Sequence, residues 1–257
     1  MKKLTKIIMA MFIVVGQTIN HSSAQDSTKS VVSADKFKTE LSLLSRNVFR
    51  GVGYGDSPSI LMMGSWVPCE YTEIGVYGNV TMNGLKEGFG NQINSYITIK
   101  PFAKSDNELK NISLTSDDYY YFYSVDSMNN FFAKKNKKTN HFMEARIKYD
   151  GRIDFTVAYT YWGNKNADID GVYFEGGYDI SPVFYVFAGY LTDRNDLMFQ
   201  TKGGWTNLGA TLKRKLHIKD WSPELNTSVI ISPTYQTVAN FPGVGKNPIS
   251  LVASLKF

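Results

Sequence analysis

Alternation constrains this chain more than any other feature. Between residues 152 and 162, Ile153, Phe155, Val157, Tyr159 and Tyr161 share one parity, and Asp154, Thr156, Ala158 and Thr160 share the other. Between 140 and 149, His141, Met143, Ala145, Ile147 and Tyr149 oppose Glu144, Arg146 and Lys148. Successive side chains of a strand point to opposite faces, so a period of two means β-strands with one apolar and one polar side. The same division recurs elsewhere. Val172, Phe174, Gly176, Tyr178 and Ile180 oppose Tyr173, Glu175, Gly177 and Asp179. Ile93, Ile97 and Ile99 oppose Gln92, Asn94, Tyr96, Thr98 and Lys100, and Phe37, Thr39, Leu41 and Leu43 oppose Lys38, Glu40, Ser42 and Arg46.

The last stretch obeys the same rule. Ile249, Leu251, Ala253, Leu255 and Phe257 are apolar, with Ser250, Val252, Ser254 and Lys256 between them. A strand end left free tends to fray. In a closed barrel the final strand pairs with the first, and its apolar face meets lipid. The expected fold is therefore all-β: a single antiparallel transmembrane barrel. Strands are expected near 36–46, 57–67, 70–82, 89–102, 109–123, 140–149, 152–162, 170–180, 182–192, 204–214, 224–234 and 247–257, about twelve in all. Single-chain bacterial barrels have even numbers of strands. Strands 57–67 and 182–192 are apolar on both faces, which leaves their register open.

Connections supply a second, independent pattern. With both termini in the periplasm, residues 47–56, 83–88, 124–139, 163–169, 193–203 and 235–246 fall outside the cell. Pro68-Cys69, Asp150-Gly151 and Ser181-Pro182 read as tight periplasmic turns, while the connections near 103–108 and 215–223 are longer.

The chain opens with Lys2, Lys3 and Lys6 before the apolar run Ile7–Val15, followed by Ser22-Ser23-Ala24. This is the pattern of a cleaved secretory signal peptide over 1–24, too short to span a bilayer as a helix. Residues 25–35 read as a flexible lead-in and 36–257 as the barrel. Without residues 1–24 the chain holds 25 basic and 23 acidic residues, a net of +2. The basic balance of the full chain therefore does not argue for nucleic acid. Sixteen Tyr and sixteen Phe suit aromatic girdles at membrane interfaces. Cys69 is the sole cysteine, which excludes an intramolecular disulfide.

A resemblance adds to this. Leu41-Ser42-Leu43-Leu44-Ser45-Arg46-Asn47-Val48-Phe49-Arg50-Gly51-Val52, followed by Pro58, resembles the opening of the TorF-type porins, whose first strand ends in a Ser…Phe-Arg-Gly motif. Tyr71–Gly78 is similar to their third strand and Asp117–Tyr123 to their tyrosine-rich fifth. Asn47, where an aromatic is common, and the lysine-rich run 134–138 depart from the pattern. The resemblance implies an outer-membrane barrel with a porin role, and supplies no catalytic residue.

The polar face carries both signs of charge and would line the interior, where charge must be paired or wet. Arg46, Glu73, Lys100, Glu144, Arg146, Lys148 and Glu175 are the expected lumen-lining residues. The expected function is a porin-like channel in the bacterial outer membrane for small polar solutes, with no cofactor. The alternatives are a non-conducting structural barrel or adhesin acting through its loops and, behind these, a lipid hydrolase. Expected partners are outer-membrane lipid, lipopolysaccharide and the barrel-assembly machinery, the last through the closing strand and Phe257.

Other motifs carry less. Asn166-Ala167-Asp168-Ile169-Asp170-Gly171 has oxygen-ligand spacing, but Gly177 stands where a calcium loop needs Glu. Lys134–Lys138 reads as a solvated loop that could meet lipopolysaccharide phosphates. For acyl transfer a nucleophile, a His base and an orienting acid must converge. His141 falls on the lipid-facing parity, and His217 lies in a periplasmic connection beside Lys219, Asp220 and Ser222.

Overall fold

The structure, a computed structural model, describes residues 36–83, 90–122, 130–133, 139–164, 167–219, 222–240 and 244–257. The expected signal peptide, the lead-in and Lys134–Lys138 lie outside these residues. In chain order the strands are β1 (Phe37–Leu44), two short ones, β2 (Val48–Phe49) and β3 (Val52–Tyr54), and then β4 (Ser59–Cys69), β5 (Thr72–Thr81) and β6 (Gln92–Ile99). There follow β7 (Ile112–Tyr121), β8 (His141–Tyr149), β9 (Ile153–Trp162), β10 (Val172–Ser181), β11 (Phe184–Leu191) and β12 (Gly204–Lys215). The last are β13 (Glu224–Ile231), a short β14 (Val244–Gly245) and β15 (Ile249–Lys256).

Twelve of these strands close one antiparallel barrel, in which each pairs with its neighbours in sequence and β15 returns to β1. At that seam Leu43 faces Leu255. Two backbone bonds extend the seam, Phe257 N–H to the Leu41 carbonyl and Ser45 N–H to the Ala253 carbonyl, both 2.8 Å. Closure leaves no open edge, the condition for a sheet in lipid. A ten-residue strand rises about 25 Å at ~3.3 Å per residue and a tilt near 40°, enough for an outer-membrane band.

Register settles the facing. Along β9–β10 the pairs Phe155–Gly176, Val157–Phe174 and Tyr159–Val172 lie outward, while Asp154–Gly177, Thr156–Glu175 and Ala158–Tyr173 lie inward. Outward apolar side chains stay exposed right round the barrel: Phe37, Ile74, Ile97, Ile147, Ile153, Leu212 and Leu251, the last at 69%. Exposed apolar area on this scale suits lipid, not water. β4 and β11 are apolar on both faces because Leu61, Met63, Tyr185 and Phe187 point into the lumen.

The remaining short strands were not expected. β2, β3 and β14 form a separate small sheet, built from two stretches read as exterior loops, 47–56 and 235–246. Some short turns also sit differently. Glu70 and Tyr71, not Pro68-Cys69, make the first turn, because a bulge between Trp66 and Cys69 extends β4. Pro182 and Val183, not Ser181-Pro182, make the turn between β10 and β11.

The buried core sits inside the barrel, at the end where the longer connections lie. Val52, Tyr54, Tyr119, Tyr121, Phe142, Leu197, Phe199 and Val238 form it, with Phe49 and Val244 packed against them. Tyr119, Tyr121 and Phe142 come from the wall, and the others from loops folded inward. One half of the lumen is thus filled, while the half toward the short turns keeps its polar wall.

Candidate functional site: a constricted lumen

The β2–β3 hairpin reaches into the barrel. Val48 pairs with Gly53 and Phe49 with Val52, so Arg50-Gly51 is a two-residue turn. Both turn residues have positive φ, 51° and 84°. Such turns normally carry Asn, Asp or Gly at both places. Gly51 fits for a second reason: a Cβ there would run into the Thr206 carbonyl and the Ser232 hydroxyl. Ser232 Oγ lies within hydrogen-bond distance of the carbonyls of Gly51 and Thr206, the latter at 2.8 Å, and its one proton, shared between them, pins the tip to the wall.

Arg50 crosses to the far wall. Its guanidinium donates to Glu144 through both terminal nitrogens, Nη1 to Oε2 at 2.6 Å and Nη2 to Oε1 at 2.8 Å. The Tyr119 hydroxyl donates to the same carboxylate at 3.3 Å. The Tyr173 ring lies 4.2 Å from the guanidinium carbon and the Phe49 ring 4.6 Å. Both side chains of the pair are buried, Arg50 at 6% and Glu144 at 1% exposure. A two-bond fork stacked on an aromatic is the strongest form an arginine–carboxylate contact takes.

A second ion pair stands beside the first. Asp117 lies opposite Glu144 across β7–β8, and Arg146 Nη2 reaches Asp117 Oδ2 at 3.0 Å. Neighbouring carboxylates on one face repel, and each here has its own guanidinium. Beneath the hairpin tip a cavity of about 350 Å3 opens, lined by Arg50, Lys148, Tyr173, Glu175, Phe187 and Asn207, among others. Glu175 accepts hydrogen bonds from Tyr173 and from Asn207. Further toward the short turns the inner wall carries Lys38–Glu73 (3.5 Å), Lys213–Asp179 (3.2 Å) and Lys256–Glu40 (2.6 Å). Asp154 accepts from the Tyr185 hydroxyl.

Of the residues expected in the lumen, Glu73, Glu144, Arg146, Lys148 and Glu175 occupy inward positions on β5, β8 and β10. Glu144, Arg146, Lys148 and Glu175 gather around the constriction and the cavity below it. Arg46 lies beyond the end of β1 and pairs with Asp56 in the same loop (3.3 Å). Lys100 follows β6 in the connection at the short-turn end, its N–H bonded to the Tyr71 carbonyl. Arg50 and Asp117 are the charges of the constriction missing from that set. Arg50-Gly51 between apolar residues is the one local hint of a turn there, and Arg-Gly is not among the dipeptides that mark a tight hairpin.

Other sequence-level candidates find structural settings too. His141 lies on the outward parity but is covered: its Nδ1 meets Asp118 at 2.6 Å, its Nε2 the Phe131 carbonyl at 3.0 Å. His217 Nδ1 meets Ser222 Oγ at 3.2 Å in an exposed connection, and Asp220 is outside the described residues. Asp168 pairs with Arg194 (3.3 Å), and Asn166 is outside the described residues. Among the described residues no three His, Cys, Asp or Glu side chains are grouped to hold a metal ion.

No family model matches this chain, and no curated protein does. Solved structures similar to it include a KdgM porin (7% identity, TM-score 0.43, 85% of this chain and 97% of that one). Two structures of OprD from Pseudomonas aeruginosa also match, at 13% and 12% identity and TM-scores of 0.32 and 0.31. Each covers 87% of this chain, which spans about two thirds of theirs (66% and 65%). Values this low transfer nothing from those proteins to this one.

Proposed function

We propose that this protein is an outer-membrane, porin-like channel for small polar solutes, constricted from within by the β2–β3 hairpin. The observation that carries this is the inner wall. Paired charges on the inner face recur from Lys256, Glu40, Lys38 and Glu73 at the short-turn end up to the Arg50–Glu144 fork. Charge turned inward needs water or partners, and here both fit: partners along the wall, and water at the half-exposed Lys38 and Lys256. The apolar belt outside fits outer-membrane lipid, with lipopolysaccharide facing the long connections. The resemblance to TorF-type porins supports the same reading, because Phe49-Arg50-Gly51, which carries it, builds the constriction.

A second reading is a barrel that never conducts and acts through its loops. The apolar plug of Val52, Tyr54, Leu197 and Phe199 across the long-loop end favours it. Liposome swelling separates the two. Refolded protein in liposomes should admit small polar solutes, with rates falling steeply as solute size grows. Folded protein that gives no more swelling than empty liposomes for the smallest solute would leave the structural barrel as the answer.

A further inference from the structure

The constriction has a wall half and a loop half, both belonging to this chain. Its wall half consists of the Glu144 carboxylate, the Tyr119 hydroxyl on that carboxylate, and the Tyr173 ring. Its occupant is a guanidinium. Three facts mark the two as separable. Arg50 belongs to a hairpin tip, not to a barrel strand. It holds a positive φ of 51°, which a non-glycine residue adopts at a cost. And a cavity of about 350 Å3 is lined by Arg50 itself and by Tyr173, so the guanidinium borders open space while Glu144 stays covered behind it.

We propose that the Glu144–Tyr119–Tyr173 seat is a site for guanidinium-bearing solutes, which exchange there with the Arg50 side chain. This rests on the channel reading above and names its solute class. The chemistry of the seat is selective. A planar guanidinium satisfies both carboxylate oxygens at once and stacks on the ring; an ammonium is a point charge and does neither as well. A neutral urea of the same shape lacks the charge that makes cation–π contact favourable. Lower in the cavity Glu175, held by Tyr173 and Asn207, offers a second carboxylate to the incoming cation, while Lys148, level with it two strands away on the same wall, suits the carboxylate of an amino acid.

Magnitudes set the working range. A side chain tethered on a short loop competes at an effective concentration on the order of millimolar. A free solute therefore displaces Arg50 only at millimolar levels or above, and binds more readily once Arg50 is removed.

The test uses the full refolded chain in detergent, with ethylguanidinium, ethylammonium, arginine and citrulline as probes. In Arg50→Ala, ethylguanidinium should bind by calorimetry and raise the melting temperature, with ethylammonium at least tenfold weaker. Adding Glu144→Gln should abolish that binding. In wild-type protein in bilayers, arginine at tens of millimolar should raise the conductance and citrulline should not. Should Arg50→Ala fail to fold, Arg50→Lys keeps the charge without the fork and should show the same order of probes. Equal binding of ethylguanidinium and ethylammonium, or binding that survives Glu144→Gln, overturns the proposal. Selective binding with no conductance in any variant upholds the seat and removes the channel. Conductance that arginine and citrulline affect alike removes the seat's role in transport and keeps the channel.

Discussion

Arg50 and Glu144 are 94 residues apart in sequence and joined by a buried two-bond fork across the lumen of the barrel. One partner belongs to a loop and the other to the wall, so the contact helps to hold the loop inside, together with Ser232 at the tip and β14 against β3. Removing one member of a buried pair typically costs about 3–5 kcal/mol, because the other is left unpaired in a dry place. Here the surviving charge has an escape. If the hairpin leaves, water enters and Glu144 is hydrated. The energy is then spent on opening the bore rather than on unfolding the barrel.

Gly51→Val tests the seating of the hairpin without touching any charge. The residue has φ 84°, and a side chain would meet the Thr206 carbonyl. A strained backbone of this kind costs about 1–3 kcal/mol. The variant should fold as a barrel, show more frequent or larger conductance steps than wild type, and give its hairpin amides faster hydrogen exchange. Unchanged exchange at Val48–Tyr54 would mean that the tip tolerates the side chain where it is.

Lys148→Glu should alter selectivity. The side chain lines the cavity beneath the constriction and forms an ion pair with the exposed Asp150 at 3.1 Å. A unit charge acts at about 1 kcal/mol over 4 Å even in water. Reversing it should shift the cation-to-anion permeability ratio toward cations by roughly fivefold or more, measured as reversal potential in a salt gradient. Arg146, whose partner Asp117 is fully buried, should respond less cleanly, since its loss also leaves Asp117 beside Glu144 unpaired.

Deleting Phe257 should impair assembly more than any lumen substitution does. The β1–β15 seam pairs only Ser42–Lys256, Leu43–Leu255 and Leu44–Ser254 within the strands. The Phe257 N–H bond to Leu41 extends it by one. The same residue would present the closing strand to the barrel-assembly machinery. Pulse-chase in cells should show slower appearance of the compact, heat-modifiable form, while the Lys148 variant assembles at the wild-type rate.

The barrel was legible because its signal is redundant. Most wall strands repeat the same period of two, and charge on β8 and β10 falls opposite the apolar residues each time. β4 and β11 resisted because Leu61, Met63, Tyr185 and Phe187 face a lumen that is itself partly apolar and aromatic, which erases the contrast between faces. The inserted hairpin was illegible for a different reason. Two- and three-residue strands are too short for a period to show, and whether a loop folds inward is decided by contacts such as Arg50–Glu144, remote in sequence. Lys100 and Arg46 illustrate the limit of parity: each has the inward parity of its strand, yet the strand ends before reaching it.

Single-channel recording of wild type and Arg50→Ala, side by side in planar bilayers, addresses the constricted channel most directly. Both proteins should first be shown to be folded by heat-modifiable migration. Wild type should give small, infrequent steps, and Arg50→Ala should give steps severalfold larger in the same salt. If folded Arg50→Ala inserts and conducts nothing, or conducts no differently from wild type, the hairpin does not control a pore.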